Sequence, residues 1–206
     1  MTNPNPNPII TIYGFSGKLG SGKNYLAETK FTDMLMPLGP ALILAFADQL
    51  KIDLIARDKI AYHSIFHTKD HQSRVALQKY GTDMREKYGP DIWINYLDNW
   101  IKMHVERGVR VFIITDVRFP NEFAWVKSLG GKVIRVEAGG RNLDELKKEA
   151  KDDTNKMQEI ASHASETALD NHRDQFDFIL NNDYGCEKSV LIELKKIADI
   201  DRIIDC

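Results

Sequence analysis

IITIYGFSGKLGSGKNY, residues 9–25, reads as an apolar β-strand, a glycine-rich turn and the start of a helix in one uninterrupted run. Gly17, Gly22 and Lys23 fit the spacing G-x-x-x-x-G-K, with Asn24 where Ser or Thr commonly follows. In a turn of this kind the backbone N–H groups point inward, and the helix N-terminus and the lysine add positive charge. The alternative is a glycine-rich turn whose lysine is merely solvated. Strand, loop and helix in the required order argue against it, and the stretch is expected to bind a nucleoside triphosphate through Gly17, Gly20, Ser21, Gly22, Lys23, Asn24 and Tyr25.

The chain has 206 residues, enough for one ordinary domain or one core with a small lid, and 43% hydrophobic residues supply that core. A net charge of −2 argues against binding to nucleic-acid polymers or anionic membranes. Cys186 and Cys206 are too few for a disulfide framework and lack metal-ligand spacing. Apolar runs such as Ala41–Ala47 are too short to cross a bilayer, and no leader pattern opens the chain. A soluble, cytoplasmic protein is expected. The first eight residues, MTNPNPNP, read as a disordered or extended tail.

Four further apolar runs resemble buried parallel strands: Ala41–Phe46, Val109–Thr115, Lys132–Glu137 and Phe176–Leu180. Helical patterns over Lys23–Met36, Ser73–Arg107 (interrupted around Gly89–Pro90), Asn121–Leu129 and Lys188–Ala198 alternate with them. This alternation predicts an α/β fold with a central parallel sheet of about five strands. Arg141–Met157 breaks the pattern with dense charge and little apolar surface, and reads either as a solvated helix face or as a mobile lid spanning roughly 138–165. An acceptor-binding helical region is expected over about 48–107.

Val111–Asp116, VFIITD, is a strand ending in a carboxylate, placed to hold Mg²⁺ beside bound phosphates. Thr115–Glu122 reads TDVRFPNE and runs on into FAWVKSLGGKVIRV. With AFADQLK (Ala45–Lys51), LQKYGTDMREKYGPDIW (Leu77–Trp93) and HASETALD (His163–Asp170), this block resembles the phage and bacterial deoxynucleoside monophosphate kinases from Ile9 to about Leu194. The resemblance implies a P-loop NTPase three-layer fold, ATP as co-substrate, Mg²⁺, a deoxynucleoside monophosphate acceptor and a possible homodimer. The family's loop usually continues G-K-D-T, whereas this chain has Lys23-Asn24-Tyr25. Asn24 keeps a carbonyl oxygen that can face Mg²⁺ or its water but carries no negative charge, so metal binding is expected to lean more on Asp116 and the phosphates.

Lys23 is expected to reach the β- and γ-phosphates. Arg74, Arg85 and Arg118 are candidates for clamping the acceptor phosphate, since a planar guanidinium binds phosphate oxygens bidentately. The resemblance places Arg85 and Arg118 within family motifs. Asp48 and Lys51 follow the second strand at the edge where open α/β sheets bind ligands, although Asp48 is equally suited to starting a helix. Arg141, opening the lid, is a candidate for stabilising the transferring group, beside Lys23 and Arg118. His163 and Glu166 suit substrate recognition or lid anchoring rather than acid–base chemistry, because a phosphate nucleophile is already ionised. Trp93, Trp100 and Trp125 read as core or cleft-wall residues. By fold analogy, Asn181–Tyr184 is the loop beside the ATP base. Two other readings stand beside this one: a kinase for phosphomevalonate or dephospho-coenzyme A, and a nucleotide-dependent switch that transfers nothing.

Overall fold

β1 (Thr11–Ser16) is the middle strand of a five-stranded parallel sheet, with β3 (Val111–Ile114) and β2 (Ala41–Leu44) on one side and β4 (Lys132–Glu137) and β5 (Phe178–Asn181) on the other. The computed structural model describes residues 9–58, 60–68 and 71–200. The N-terminal tail expected to be disordered lies outside the described residues. So does Cys206.

Parallel strands need cover on both faces, which is why all five apolar runs became strands with few polar interruptions. Alternation along β3 shows how the two faces are supplied. Phe112 and Ile114 enter a core with Phe46, Leu50, Leu54, Trp93, Leu97 and Val126, while Val111 and Ile113 enter another with Tyr13, Phe15, Phe31, Leu35 and Leu194. The first core is covered by α3 (Ala47–Asp58), α4 (His71–Tyr88), α5 (Ile92–Glu106) and α6 (Pro120–Ser128). The second is covered by the helical stretch after β1 and by α10 (Glu187–Ile200). The result is a three-layer α/β architecture.

The stretch after β1 is not one regular helix. α1 (Lys23–Tyr25) passes into a π-helical segment, Leu26–Phe31, and regains α geometry in α2 (Thr32–Leu35) before a 3₁₀ turn at Met36–Leu38 that carries Pro37. The Thr32 hydroxyl donates to the Ala27 carbonyl at 2.9 Å, one residue further back than an α-helix would place its acceptor. The expected 73–107 helix is broken at Gly89–Pro90 into α4 and α5, as its sequence implied. α3 has no clear periodic signal because only Leu50 and Leu54 are buried in it.

The charged segment folds as α7 (Gly139–Ala150) and α8 (Thr154–Ser162), followed by the short α9 (Ala164–Thr167). Lys151 and Asp152 turn the chain between α7 and α8 with φ of 53° and 59°, and Asp153 caps α8 by accepting from the N–H groups of Asn155 and Lys156. No described helix is long and apolar enough to cross a membrane. Strand register aligns the loops at one end of the sheet. Gly14 of β1 and Leu44 of β2 both pair with Ile114 of β3, so the loop after β1, Phe46 and Asp116 emerge side by side at the C-terminal edge.

Candidate active site

The loop between β1 and α1 is folded tightly against the protein. A Cβ on Gly17 would lie 2.6 Å from Ser21 Oγ and 2.7 Å from the Val136 carbonyl, so only glycine allows this closure. Gly20 has φ of 77°, and a Cβ there would come within 2.7 Å of Glu145 Cβ and 2.8 Å of the Arg141 carbonyl oxygen. Two amides brace the outside: Asn182 Nδ2 donates to the Ser21 carbonyl at 2.9 Å, and Asn142 Nδ2 donates to that of Leu19. The hydroxyl oxygen of Ser21 is buried with no hydrogen-bond partner among the described residues.

The loop forms one wall of a cavity of about 410 Å³. Gly20, Ser21, Gly22, Lys23 and Asn24 line it on the loop side. Opposite stand Lys51 from α3, Arg74 and Arg85 from α4, and Asp116, Arg118 and Glu122 from the segment after β3. His163, Ser165 and Glu166, at the end of the charged segment, line it as well. Segments distant in sequence thus place Lys23, Lys51, Arg74, Arg85 and Arg118 around one space.

Each of the four cations across the cavity from the loop is held by a carboxylate. Lys51 Nζ donates to Asp48 Oδ1 at 2.9 Å, and Arg74 Nε is ion-paired with Glu149 Oε1 of α7 at 3.0 Å. Arg85 Nη2 meets Glu122 Oε1 at 3.3 Å while its guanidinium lies 4.2 Å from the centre of the Phe119 ring. Arg118 Nη1 donates to Glu166 Oε1 and, at 3.1 Å, to the Ser165 carbonyl. An incoming anion would therefore exchange with carboxylates rather than meet bare cations.

The TDVRFPNE segment builds the far wall. Glu122, 3% exposed, accepts the backbone N–H groups of Arg118 and Phe119 on one oxygen, at 2.8 and 3.1 Å. These bonds fix the entry of α6 as a capping carboxylate does. Asn121 Nδ2 donates to the Pro90 carbonyl and to Asp91 Oδ1, tying α6 to the α4–α5 turn. Burial, reinforced by the charge of Asp116, pushes the Glu122 carboxyl up to about 7. Burial likewise raises Asp116, with Asp48 adding repulsion. Burial also works on Glu166, but the Arg118 charge and the Leu19 N–H outweigh it, so that this carboxyl is lowered.

Several residues stand elsewhere than the sequence led us to expect. Arg141 does not line the cavity: Nη2 donates to Glu187 Oε1 at 2.7 Å and its guanidinium lies over the Tyr184 ring, because the first turn of α7 faces the β5–α10 loop. Tyr25 is exposed, its ring beneath Lys30, since α1 rotates it away from the loop. Asp48 takes the helix-start role, accepting the Ala45 N–H at 2.8 Å and holding Lys51 without reaching the cavity. Gly17 shapes the loop from behind. Asp116 lines the cavity, but its two oxygens already accept the N–H groups of Phe46 and Ala47, at 2.7 and 3.0 Å.

Trp93 is core, with its edge at the cavity, and Trp125 packs edge-on against Phe46. Trp100 is partly exposed and donates to Gln49. Sequence reasoning missed Glu122 and Gln78 as lining residues. The signal for Gln78 was available: positions 74, 78, 81 and 85 share one face of a helix, and all four line the cavity.

No protein-family model matches the chain, and no curated protein matches it in sequence. Among solved structures, the chain is similar to a shikimate kinase from Acinetobacter baumannii in complex with shikimate, at 13% identity over 96% of this chain and 94% of that one, with a TM-score of 0.47. It is also similar to a shikimate kinase from Bacteroides thetaiotaomicron, at 16% identity over 92% and 98% of the two chains, with a TM-score of 0.46. Neither likeness says which acceptor this chain takes.

Proposed function

We propose that this chain transfers the γ-phosphoryl group of ATP to a deoxynucleoside 5′-monophosphate, releasing ADP and the diphosphate. One observation carries the reading: the phosphate loop and a set of acceptor-side cations (Lys51, Arg74, Arg85 and Arg118) face each other across a single cavity. An acceptor phosphate oxygen attacks the γ-phosphorus, the bond to the β–γ bridging oxygen breaks, and ADP leaves with that electron pair. No side chain need remove a proton, because the attacking oxygen is already ionised. Positioning and charge stabilisation remain, and the cavity's guanidinium groups suit both.

The donor side fits a triphosphate. The glycine-rich loop, whose backbone N–H groups suit phosphate oxygens, and Lys23 line it. Asn24 and Asp116 line the cavity and would hold Mg²⁺ together with phosphate oxygens, Asp116 through oxygens that also accept the N–H groups of Phe46 and Ala47. Among the described residues no group of three or more His, Cys, Asp or Glu could hold a metal ion. Bound at Asn24 and Asp116, Mg²⁺ would neutralise charge on the phosphates.

ADP release with Mg·ATP, screened against dAMP, dCMP, dGMP, dTMP, the ribonucleotides, phosphomevalonate and dephospho-coenzyme A, tests this directly. Stimulation by deoxynucleotides alone is the expected result. Stimulation by phosphomevalonate or dephospho-coenzyme A alone would move the acceptor to that compound. ATP binding without stimulation by any acceptor would leave a nucleotide-dependent switch. Lys23→Ala is expected to lower turnover by ~10²-fold or more while the chain stays folded.

A further inference from the structure

α4 meets the cavity with five residues: Arg74, Leu77, Gln78, Gly81 and Arg85. The two arginines at the ends are engaged by Glu149 and Glu122. Gly81 lets α3 and α4 approach, since a Cβ would lie 2.9 Å from Leu50 Cδ1, and its carbonyl accepts from Trp93 Nε1 and Arg85 Nη1. Gln78 differs from all of them. It is half-buried, and its carboxamide has no hydrogen-bond partner among the described residues. The other carboxamide of the cavity, Asn24, donates to Glu28 at 2.7 Å.

Part of the cavity lining is apolar. Leu77 precedes Gln78, and Leu50, Phe46 and Phe119 line the same cavity. A neutral amide is a weaker phosphate ligand than the cations that line the same cavity, and those already serve that need. It suits a flat heterocycle that buries its faces on apolar side chains and offers a donor and an acceptor at its edge. A base edge can satisfy both the donor and the acceptor of this amide in place of solvent.

We infer that Gln78 reads the edge of the acceptor's base and sets which nucleotides this chain accepts. This rests on the reading of the cavity as a nucleotide kinase site and names the residue that gives that site its base preference. A carboxamide offers one donor group and one acceptor, and a matched bidentate pair discriminates between bases by about tenfold or more. Gln78→Glu keeps the size and removes the donor. Gln78→Leu removes both.

The test is kcat/KM for dAMP, dCMP, dGMP and dTMP in the full chain and both variants, with KM for ATP and melting temperature as controls. Deoxyribose 5-phosphate, which has the phosphate and no base, is measured alongside. The expected result is that Gln78→Leu compresses the spread among the four bases by about tenfold and that Gln78→Glu reorders it. KM for ATP and inhibition by deoxyribose 5-phosphate should stay as in the parent. A parallel fall for all four bases, an unchanged ranking in both variants, or a matching change for deoxyribose 5-phosphate would overturn the inference and leave the kinase reading standing. No deoxynucleotide stimulation in the parent chain would overturn both.

Discussion

The carboxylate of Glu166 accepts the backbone N–H of Leu19 at 2.7 Å, so an anionic side chain rests on the phosphate loop itself. The other oxygen of the same carboxylate takes Arg118. Glu166 thus occupies one loop N–H and one cavity guanidinium, both groups that a phosphate would use. Removing it in Glu166→Ala leaves Arg118, whose side chain is 25% exposed, without its carboxylate. A loss of ~2 kcal/mol in urea unfolding is expected, less than the ~3–5 kcal/mol of a fully buried pair. Inorganic triphosphate should then raise the melting temperature of the variant more than that of the parent. An equal or smaller rise would show that Glu166 does not compete with phosphate.

Gly20 is required twice over, by its φ of 77° and by the closeness of Glu145 and Arg141. Gly20→Ala is expected to lower stability by ~1–3 kcal/mol and to weaken ATP binding severalfold. Gly39 separates the two causes. It has φ of 111° with nothing within 4 Å of where an added methyl would sit, so Gly39→Ala should show the backbone strain alone and leave ATP affinity untouched. Equal losses of affinity in both variants would argue against a specific role for the loop contact.

Glu122 makes stability depend on pH in a defined direction. Its folded pKa of about 7 lies above the ordinary 4.5, so the native state holds this proton more tightly than the unfolded chain does. The contribution is therefore fully present below about 4.5 and is lost as pH rises through about 7. At about 1.4 kcal/mol for each pH unit between those two values, the loss is about 3.5 kcal/mol at most. Glu122→Gln should flatten the fall in unfolding free energy across this range. An identical pH profile in parent and variant would remove Glu122 as its source.

Arg74 and Glu149 join α4 to α7 at 3.0 Å, with side chains 29% and 11% exposed. A double-mutant cycle with Arg74→Gln and Glu149→Gln should give a coupling of about 1 kcal/mol in unfolding free energy. Glu149→Gln, which leaves Arg74 free for an acceptor phosphate, is expected to lower the acceptor KM a few-fold, whereas Arg74→Gln raises it. A KM that rises in both variants would mean that the pair matters for closing the cavity rather than for holding Arg74 in reserve.

The glycine pattern of residues 17–23 and the five apolar runs were legible because each expresses a local rule. A buried parallel strand must be apolar on both faces, and a phosphate loop must have glycines at fixed intervals. Local rules also suffice for the break at Gly89–Pro90 and for the helix-start reading of Asp48. They do not say which way a side chain points once its helix is docked. Arg141 and Tyr25 lie close in sequence to the site's motifs, yet both turn outward where their helices pack.

Sequence alone determined the layered α/β plan, the five strands and the loop that opens the site. Tertiary structure decided which charges share a cavity: Lys51, Arg74, Arg85 and Arg118 come from three separate segments, and parallel register at the C-terminal edge of the sheet brings them together. It also decided their partners. Glu149, Glu122 and Glu166 reach those cations only through packing of α7, α6 and α9 against the rest, and no linear spacing encodes such pairs. The physical reason is range. Backbone conformation and burial period act over a few residues, while electrostatic pairing across a cavity depends on where whole helices come to rest.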